Sequence, residues 1–163
     1  MHIKNRIVVD SMWAISDGDT QPLGSVSIFI PYADWLALDE NTRQSRRDTL
    51  GAWLSVDQEP GDLNTYPDHL AIQFLSFTDG RGYSLARILR EENNYSGDLY
   101  AVGDVLRDQL RELERCGFNA FVLRSDQDVR ASISAFDDFD YEYQRSVVSK
   151  SHGANSAVKS GAP

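Results

Sequence analysis

From residue 26 onward the chain alternates short β-branched runs with helix-length amphipathic stretches, and that alternation restricts the fold more than any other feature. Residues 26–30 read as a strand closed by Pro31, residues 32–38 and 41–49 as helical, and residues 51–56 as the next strand. Residues 70–75 have the composition of a fully buried strand. Residues 83–93 set Leu85, Ala86, Ile88 and Leu89 on one helical face. A strand follows at 99–102, then a helix at 104–116 with Leu106, Leu110 and Leu113 at i, i+4 and i+7. Residues 118–123 read as a strand and 126–139 as a last amphipathic helix. Strands separated by helices imply right-handed crossovers and parallel pairing. The predicted fold is α/β, with about five mostly parallel strands in a sheet that is either open and doubly wound or curved like part of a barrel.

Nearer the N-terminus, residues 6–15 have strand composition and Asp17-Gly18-Asp19 has turn chemistry, which predicts a short β element or hairpin. Residues 146–163 are rich in Ser, Gly, Ala and Lys without apolar periodicity, and read as a disordered tail. The 163 residues then amount to a single α/β domain over 1–145. A hydrophobic content of 41% is enough for a core. Every apolar run is far shorter than the ~20 residues of a membrane span. Met1-His2-Ile3-Lys4-Asn5-Arg6 lacks the apolar stretch of a signal peptide, so a cytoplasmic protein is expected. One cysteine excludes an intrachain disulfide and any all-cysteine metal site.

Charge narrows the partners. Sixteen basic against 25 acidic residues give −9, which opposes binding to nucleic acid or an anionic membrane. Lysine occurs only at Lys4, Lys150 and Lys159, and seven of the thirteen arginines lie between Arg81 and Arg124. The guanidinium fork suits oxyanions, so this segment could hold a small anion locally. Alternatively, these arginines pair with the acids around them.

In parallel α/β folds ligands gather at the carboxyl ends of the strands. Four predicted strands lead there into an aspartate: Asp57, Asp79, Asp104 and Asp126. A carboxylate cluster could bind Mg²⁺ or serve as acid and base, with Asp79 and Asp104 as the catalytic candidates. Aspartate also simply caps helices. Phe77-Thr78-Asp79-Gly80-Arg81-Gly82-Tyr83-Ser84 is the most unusual stretch: two glycines flank an arginine just before a helix start, where backbone amides and the helix dipole favour an anion. It lacks the Gly-Lys-Ser/Thr of a Walker loop, and Leu85 occupies the third glycine position of a dinucleotide fingerprint. The ligand-binding set predicted from this reading is Thr78, Asp79, Gly80, Arg81, Gly82, Tyr83, Ser84, Arg87, Asp104 and Arg124, with no metal ligand assigned. Arg81 then has two readings: an anion-binding group on the rim, or a structural bridge to Asp57, Asp79 or Asp104.

Other chemistry-bearing residues read more plainly. Arg107, Arg111 and Arg115 form a basic row, largely neutralised by Asp104, Asp108 and Glu112 three residues before each. Cys116 stands at a helix C-terminus with Gly117 as the expected cap, where the dipole disfavours a thiolate. His2, His69 and His152 fit no triad or metal spacing, and Trp13, Trp35 and Trp53 read as packing residues.

The run Phe77-Thr78-Asp79-Gly80-Arg81-Gly82-Tyr83-Ser84, followed by Ala86-Arg87-Ile88-Leu89-Arg90, resembles the signature of a bacterial family of unknown function, DUF934. So do Ala101-Val102-Gly103-Asp104-Val105-Leu106-Arg107-Asp108-Gln109-Leu110 and Arg115-Cys116-Gly117-Phe118, and the likeness spans about residues 30–144. Members of that family are typically encoded beside assimilatory sulfite reductase and are labelled as oxidoreductases of sulfite reduction. The resemblance thus implies an accessory role in sulfite reduction and sulfur assimilation, with sulfite reductase as partner and a small anion or the partner bound at the strand ends. The competing implication is a flavin- or metal-assisted oxidoreductase or lyase using the rim aspartates, its flavin or Mg²⁺ borrowed. Tyr100 and Leu85 replace an Arg and a Gln of the family motif, which would remove two polar groups from that rim.

Overall fold

A computed structural model describes residues 1–16, 26–58 and 65–137. The turn expected at Asp17–Asp19, the end of the last helix and the tail at 146–163 lie outside the described residues. Among those described, eight strands form one sheet: β1 (His2–Lys4), β2 (Ile7–Val9), β3 (Trp13–Ile15), β4 (Ser27–Pro31), β5 (Leu50–Ser55), β6 (His69–Phe74), β7 (Asp98–Gly103) and β8 (Ala120–Phe121). The helices are α1 (Tyr32–Ala37), α2 (Glu40–Ser45), α3 (Arg81–Glu91), α4 (Leu110–Arg115) and α5 (Val129–Ser132), with 3₁₀ turns at Arg107–Gln109 and Ile133–Phe136.

The strand order is β2-β1-β8-β7-β6-β5-β4-β3, with β3 through β8 parallel in sequence order and β1 antiparallel to both β2 and β8. Sequential order means that every right-handed crossover steps the same way, so the helices cover one face only. That decides between the two predicted shapes. The sheet is not doubly wound; it is curled.

The N-terminal residues show how far it curls. β2 and β3 are the two edges, yet only Asp10–Met12 separates them in sequence. Four residue steps reach at most ~14 Å, whereas the edges of a flat eight-stranded sheet lie ~34 Å apart at ~4.8 Å per strand. The sheet therefore wraps into a near-barrel. Its interior is aromatic: Trp13 stacks on Phe29 at 4.4 Å and tilts against His69 at 4.8 Å and Tyr100 at 5.2 Å. Tyr100 also meets Phe29 and His2. Trp13 on β3 and Tyr100 on β7 stand four strands apart in the sheet, so their contact exists only because of the curl. The outer face, with Ile28, Leu50, Leu54, Leu70, Ile72, Phe74 and Leu99, packs under the helices.

The count of about five strands is too low because β1, β2 and β3 are three residues each, too short to show a period. The hairpin does form, but between β1 and β2, turning at Asn5 and Arg6. Both have positive φ (50° and 61°), the type I′ geometry that matches strand twist. The helix expected over 104–116 begins only at Arg107, because Leu106 is extended and donates its amide to Gln109 Oε1 while the Asp104 amide is taken by the Phe74 carbonyl. The helix expected over 41–49 is α2, ending at Ser45. The last helix shrinks to α5 with Asp128 as its cap. Gly117, at φ 112°, terminates α4 as expected.

The amino ends of the strands hold a polar network. Asp98 accepts from Lys4 Nζ (2.6 Å) and Asn119 Nδ2 (3.0 Å), and His69 Nδ1 lies 3.2 Å from it. Burial acts to raise the Asp98 pKa, but the nearby His69 ring and the hydrogen bonds from Lys4 and Asn119 outweigh it and hold the carboxyl well below its ordinary range. A depressed carboxyl pKa adds stability above the unfolded value of about 4 that is lost as pH falls below it. Asp98→Asn is expected to cost roughly 2–3 kcal/mol at neutral pH, at the low end for a broken buried pair because Lys4 is partly exposed. The same substitution flattens the acid limb of stability below about pH 4. Buried His2 behaves oppositely to a paired histidine: burial lowers its pKa, so stability should decline as pH falls below about 6.5. Urea melts from pH 8 to pH 3 on wild type, Asp98→Asn and His2→Phe separate the two limbs.

Candidate functional site

The carboxyl ends of β5 to β8 form the rim on which the predicted site residues fall. Inside it, the row Ser55–Gln73–Val102 runs across three strands, with Trp53 and Val122 packed on the aromatic interior below. Trp53 donates its indole N–H to the Ser16 carbonyl. Sequence reasoning overlooked Ser55 and Gln73, although strand alternation with Trp53 and Ala71 places both on the concave face.

Two Arg–carboxylate groups occupy the rim. Arg81 binds Asp79 through Nε (2.9 Å) and Nη2 (2.6 Å) and binds Asp57 through Nη1. Asp79 Oδ1 also accepts the Arg81 amide at 3.1 Å. The position an anion would take at the start of α3 is thus held by the chain's own carboxylate. Hydrogen bonds from the Arg81 side chain and amide keep Asp79 below the ordinary carboxylate range. In the second group, Arg124 donates to Asp126 through Nε and Nη2 (2.8 Å each) and to Asp104 Oδ1 (2.8 Å). Asp104 Oδ2 accepts the Phe77 amide at 2.9 Å, which ties the β6–α3 loop to the β7 end. Asp126 is drawn down to about 2 by its hydrogen bond from Arg124.

The predicted set is therefore brought together only in part. Asp79 and Arg81 meet Asp57; Asp104 and Arg124 meet Asp126 and the Phe77 amide. Thr78 pairs with Ser76 (2.9 Å), and Tyr83 accepts from Gln109 Nε2 through its hydroxyl (3.0 Å). Gly80 and Ser84 are exposed, while Gly82 is buried against the Phe74 ring. Arg87 lies farther along α3, where its charge acts on Cys116, away from the rim. Neither Asp104 nor Asp126 caps a helix. Among the described residues, no group of three or more His, Cys, Asp or Glu is placed to hold a metal ion.

Tyr100 and Leu85 are not rim positions. Tyr100 lies in the barrel interior, its hydroxyl pKa raised by burial, and Leu85 faces the core beneath α3. Their difference from the motif changes packing, not rim polarity. Burial also pushes the Cys116 thiol up, opposing a thiolate. In the basic row, Arg115 pairs with Glu112 (3.1 Å), whereas Arg107 reaches Ser134 and Arg111 the Phe136 carbonyl.

The rim's other feature is apolar. β6 ends at Phe74, one residue short of the predicted strand, and leaves Leu75 74% exposed with Phe77 at 49%. Both stand in the loop between the two charged groups. Exposed large apolar side chains within a polar rim are available to a protein surface.

A family model described as a bacterial protein of unknown function (DUF934) matches residues 51–152. No curated protein and no solved structure matches the chain.

Proposed function

The chain belongs to the DUF934 family, and from that premise we propose that it is an accessory protein of sulfite reduction whose strand-end rim docks a protein partner, sulfite reductase. The pathway comes from the resemblance of its motifs; the mode of action comes from the rim. The observation that carries it is the exposed Leu75–Phe77 pair set between two arginine groups whose charges are already matched by Asp57, Asp79, Asp104 and Asp126. A small anion would have to displace one of those carboxylates from Arg81 or Arg124. A protein surface need only cover the apolar pair and keep the surrounding bridges.

In the enzyme reading, a flavin- or metal-assisted oxidoreductase or lyase, the rim aspartates act as acid and base or as metal ligands, and the first of these roles needs a carboxylate able to take up a proton. Asp79 is held ionised by Arg81, and both Asp104 oxygens are committed. Docking therefore fits better.

The test is co-purification of the full chain with sulfite reductase from its host, alongside the Leu75→Asp/Phe77→Asp double variant. Wild type is expected to retain the reductase and the variant to lose it at an unchanged melting temperature. Retention by the variant, or no association of wild type, overturns the docking mode. Flavin absorbance or stoichiometric metal in the purified protein would favour the enzyme. A deletion strain should fail on sulfate and sulfite and recover on sulfide; growth on all three removes the sulfite-reduction role.

A further inference from the structure

Phe77 is half exposed on the loop between β6 and α3, and an exposed apolar side chain is by itself ordinary on a surface. What sets Phe77 apart is how it is held. Residues 76–79 form a turn closed by the Asp79 amide on the Ser76 carbonyl (3.1 Å), with Phe77 at its first corner. Both polar backbone groups of Phe77 are taken there by side chains of a distant segment. Its amide donates to Asp104 Oδ2 (2.9 Å), and its carbonyl accepts from Gln109 Nε2 (2.8 Å). Each clamp is itself fixed. Arg124 Nη1 donates to Asp104 Oδ1 at 2.8 Å. Gln109 accepts the Leu106 amide at Oε1 (2.9 Å) and donates to the Tyr83 hydroxyl (3.0 Å), whose ring packs edge-on against buried Phe74. The two motif segments, 77–84 and 101–110, thus converge on one exposed aromatic side chain.

We propose that Phe77 is a preformed anchor that enters an apolar pocket of the docking partner, a pocket bordered by basic side chains, with Gln109 and Asp104 as its positioning residues. The proposal rests on the docking reading of the rim. A few aromatic or arginine anchors that fill pockets in the partner carry most of the affinity of an interface. Ordering an anchor and its loop on binding weakens association, and a turn clamped in the free protein avoids that loss. The border follows from the charges of the rim. Asp57, Asp79, Asp104 and Asp126 stand against Arg81 and Arg124, which leaves two net negative charges, and Asp57 and Asp126 are both exposed. A basic border complements that surface, whereas an acidic one is repelled.

The test measures association of the full chain with immobilised sulfite reductase from its host, with a thermal melt of every variant as the check on folding. Phe77→Ala should weaken association roughly thirtyfold or more, the size of an anchor residue. Gln109→Glu keeps the acceptor for the Leu106 amide and removes the donor to Phe77. It should weaken association roughly three- to tenfold, the cost of ordering the freed turn. In the Phe77→Ala background the same change should cost nothing further, because Gln109 acts through Phe77; a general loss of structure would add in both backgrounds. Asp104→Asn, which removes the acceptor of the Phe77 amide and leaves an oxygen for Arg124, serves if Gln109→Glu does not fold. Association of wild type should fall as NaCl rises from about 0.05 to about 0.5 M. Phe77→Ala binding as wild type does, Gln109→Glu costing equally in both backgrounds, or indifference to salt overturns the anchor and leaves the docking reading standing. No association of wild type overturns both.

Discussion

Arg90→Ala should lower stability by roughly 3–5 kcal/mol, from several charge-assisted hydrogen bonds lost together with the acceptors left unsatisfied. The Arg90 guanidinium donates to three backbone carbonyls, Gly117 (2.9 Å), Tyr95 (2.6 Å) and Gly97 (2.8 Å), and reaches Asn119 Oδ1 at 3.4 Å. Its plane lies over the Tyr95 ring at 5.1 Å, and burial lowers its pKa. Tyr95 in turn sets its hydroxyl within hydrogen-bonding distance of the Pro67, Asp68 and Asp98 carbonyls. One side chain thus ties the end of α3 to the start of β7 and the start of β8. Alanine leaves three carbonyls without their donor. Lysine keeps the charge but supplies a point donor where a fork is needed, and should restore less than half of the loss. At 2–4 °C per kcal/mol for a chain of this size, the alanine variant should melt roughly 10 °C lower. A melt within 2 °C of wild type would show that water replaces the guanidinium at little cost.

Gly103→Ala is expected to be comparably damaging, at roughly 3 kcal/mol or more from backbone strain and overpacking together. Gly103 closes β7 at φ 95°, a conformation that L residues rarely adopt, and an added Cβ would collide with the Phe74 carbonyl oxygen. That carbonyl also accepts the Asp104 amide, so it cannot move away without releasing the turn that presents Asp104 to Phe77 and Arg124. The substitution should therefore loosen the rim as well as the fold. Gly80→Ala is the internal control. Its φ of −72° suits any residue and nothing lies within 4 Å of a Cβ there, so it should be neutral or stabilise by a few tenths of a kcal/mol. Chemical denaturation of both variants separates conformational demand from mere glycine content: equal effects at positions 80 and 103 would sink the argument.

These residues give the family-like motifs a physical meaning. Arg90, Gly103 and Gly117 serve the joints between strands and helices, and Asp79, Arg81 and Asp104 anchor the β6–α3 loop. Gly82 permits α3 to lie close on the sheet, since a Cβ there would meet the Phe74 ring at 2.5 Å. The loop that looks like an anion cradle in sequence has its cradle filled by its own aspartate.

The amino-acid sequence by itself determined the α/β class, the parallel core from β4 to β8 and the carboxyl-end rim with its aspartates, because strand and helix periods and turn residues are local properties. It also determined the family, through contiguous motifs. Only the tertiary structure decided the rest. Closure of the sheet depends on Asp10–Met12 bridging two edges, and three-residue strands carry no period to announce it. The partners of Arg81 and Arg124 depend on which strand ends become neighbours; a guanidinium followed at a distance by aspartates reads equally as an anion site or a bridge until those ends are placed. Leu75 reads as buried because its neighbours are, yet β6 ends at Phe74, one residue before it. Lys4, His69, Asp98 and Asn119 are scattered through the chain and meet only because β1, β8, β7 and β6 are neighbours in the sheet. Local propensity is written residue by residue, whereas the pairing of charges and the exposure of a strand end are set by contacts between segments far apart in the chain.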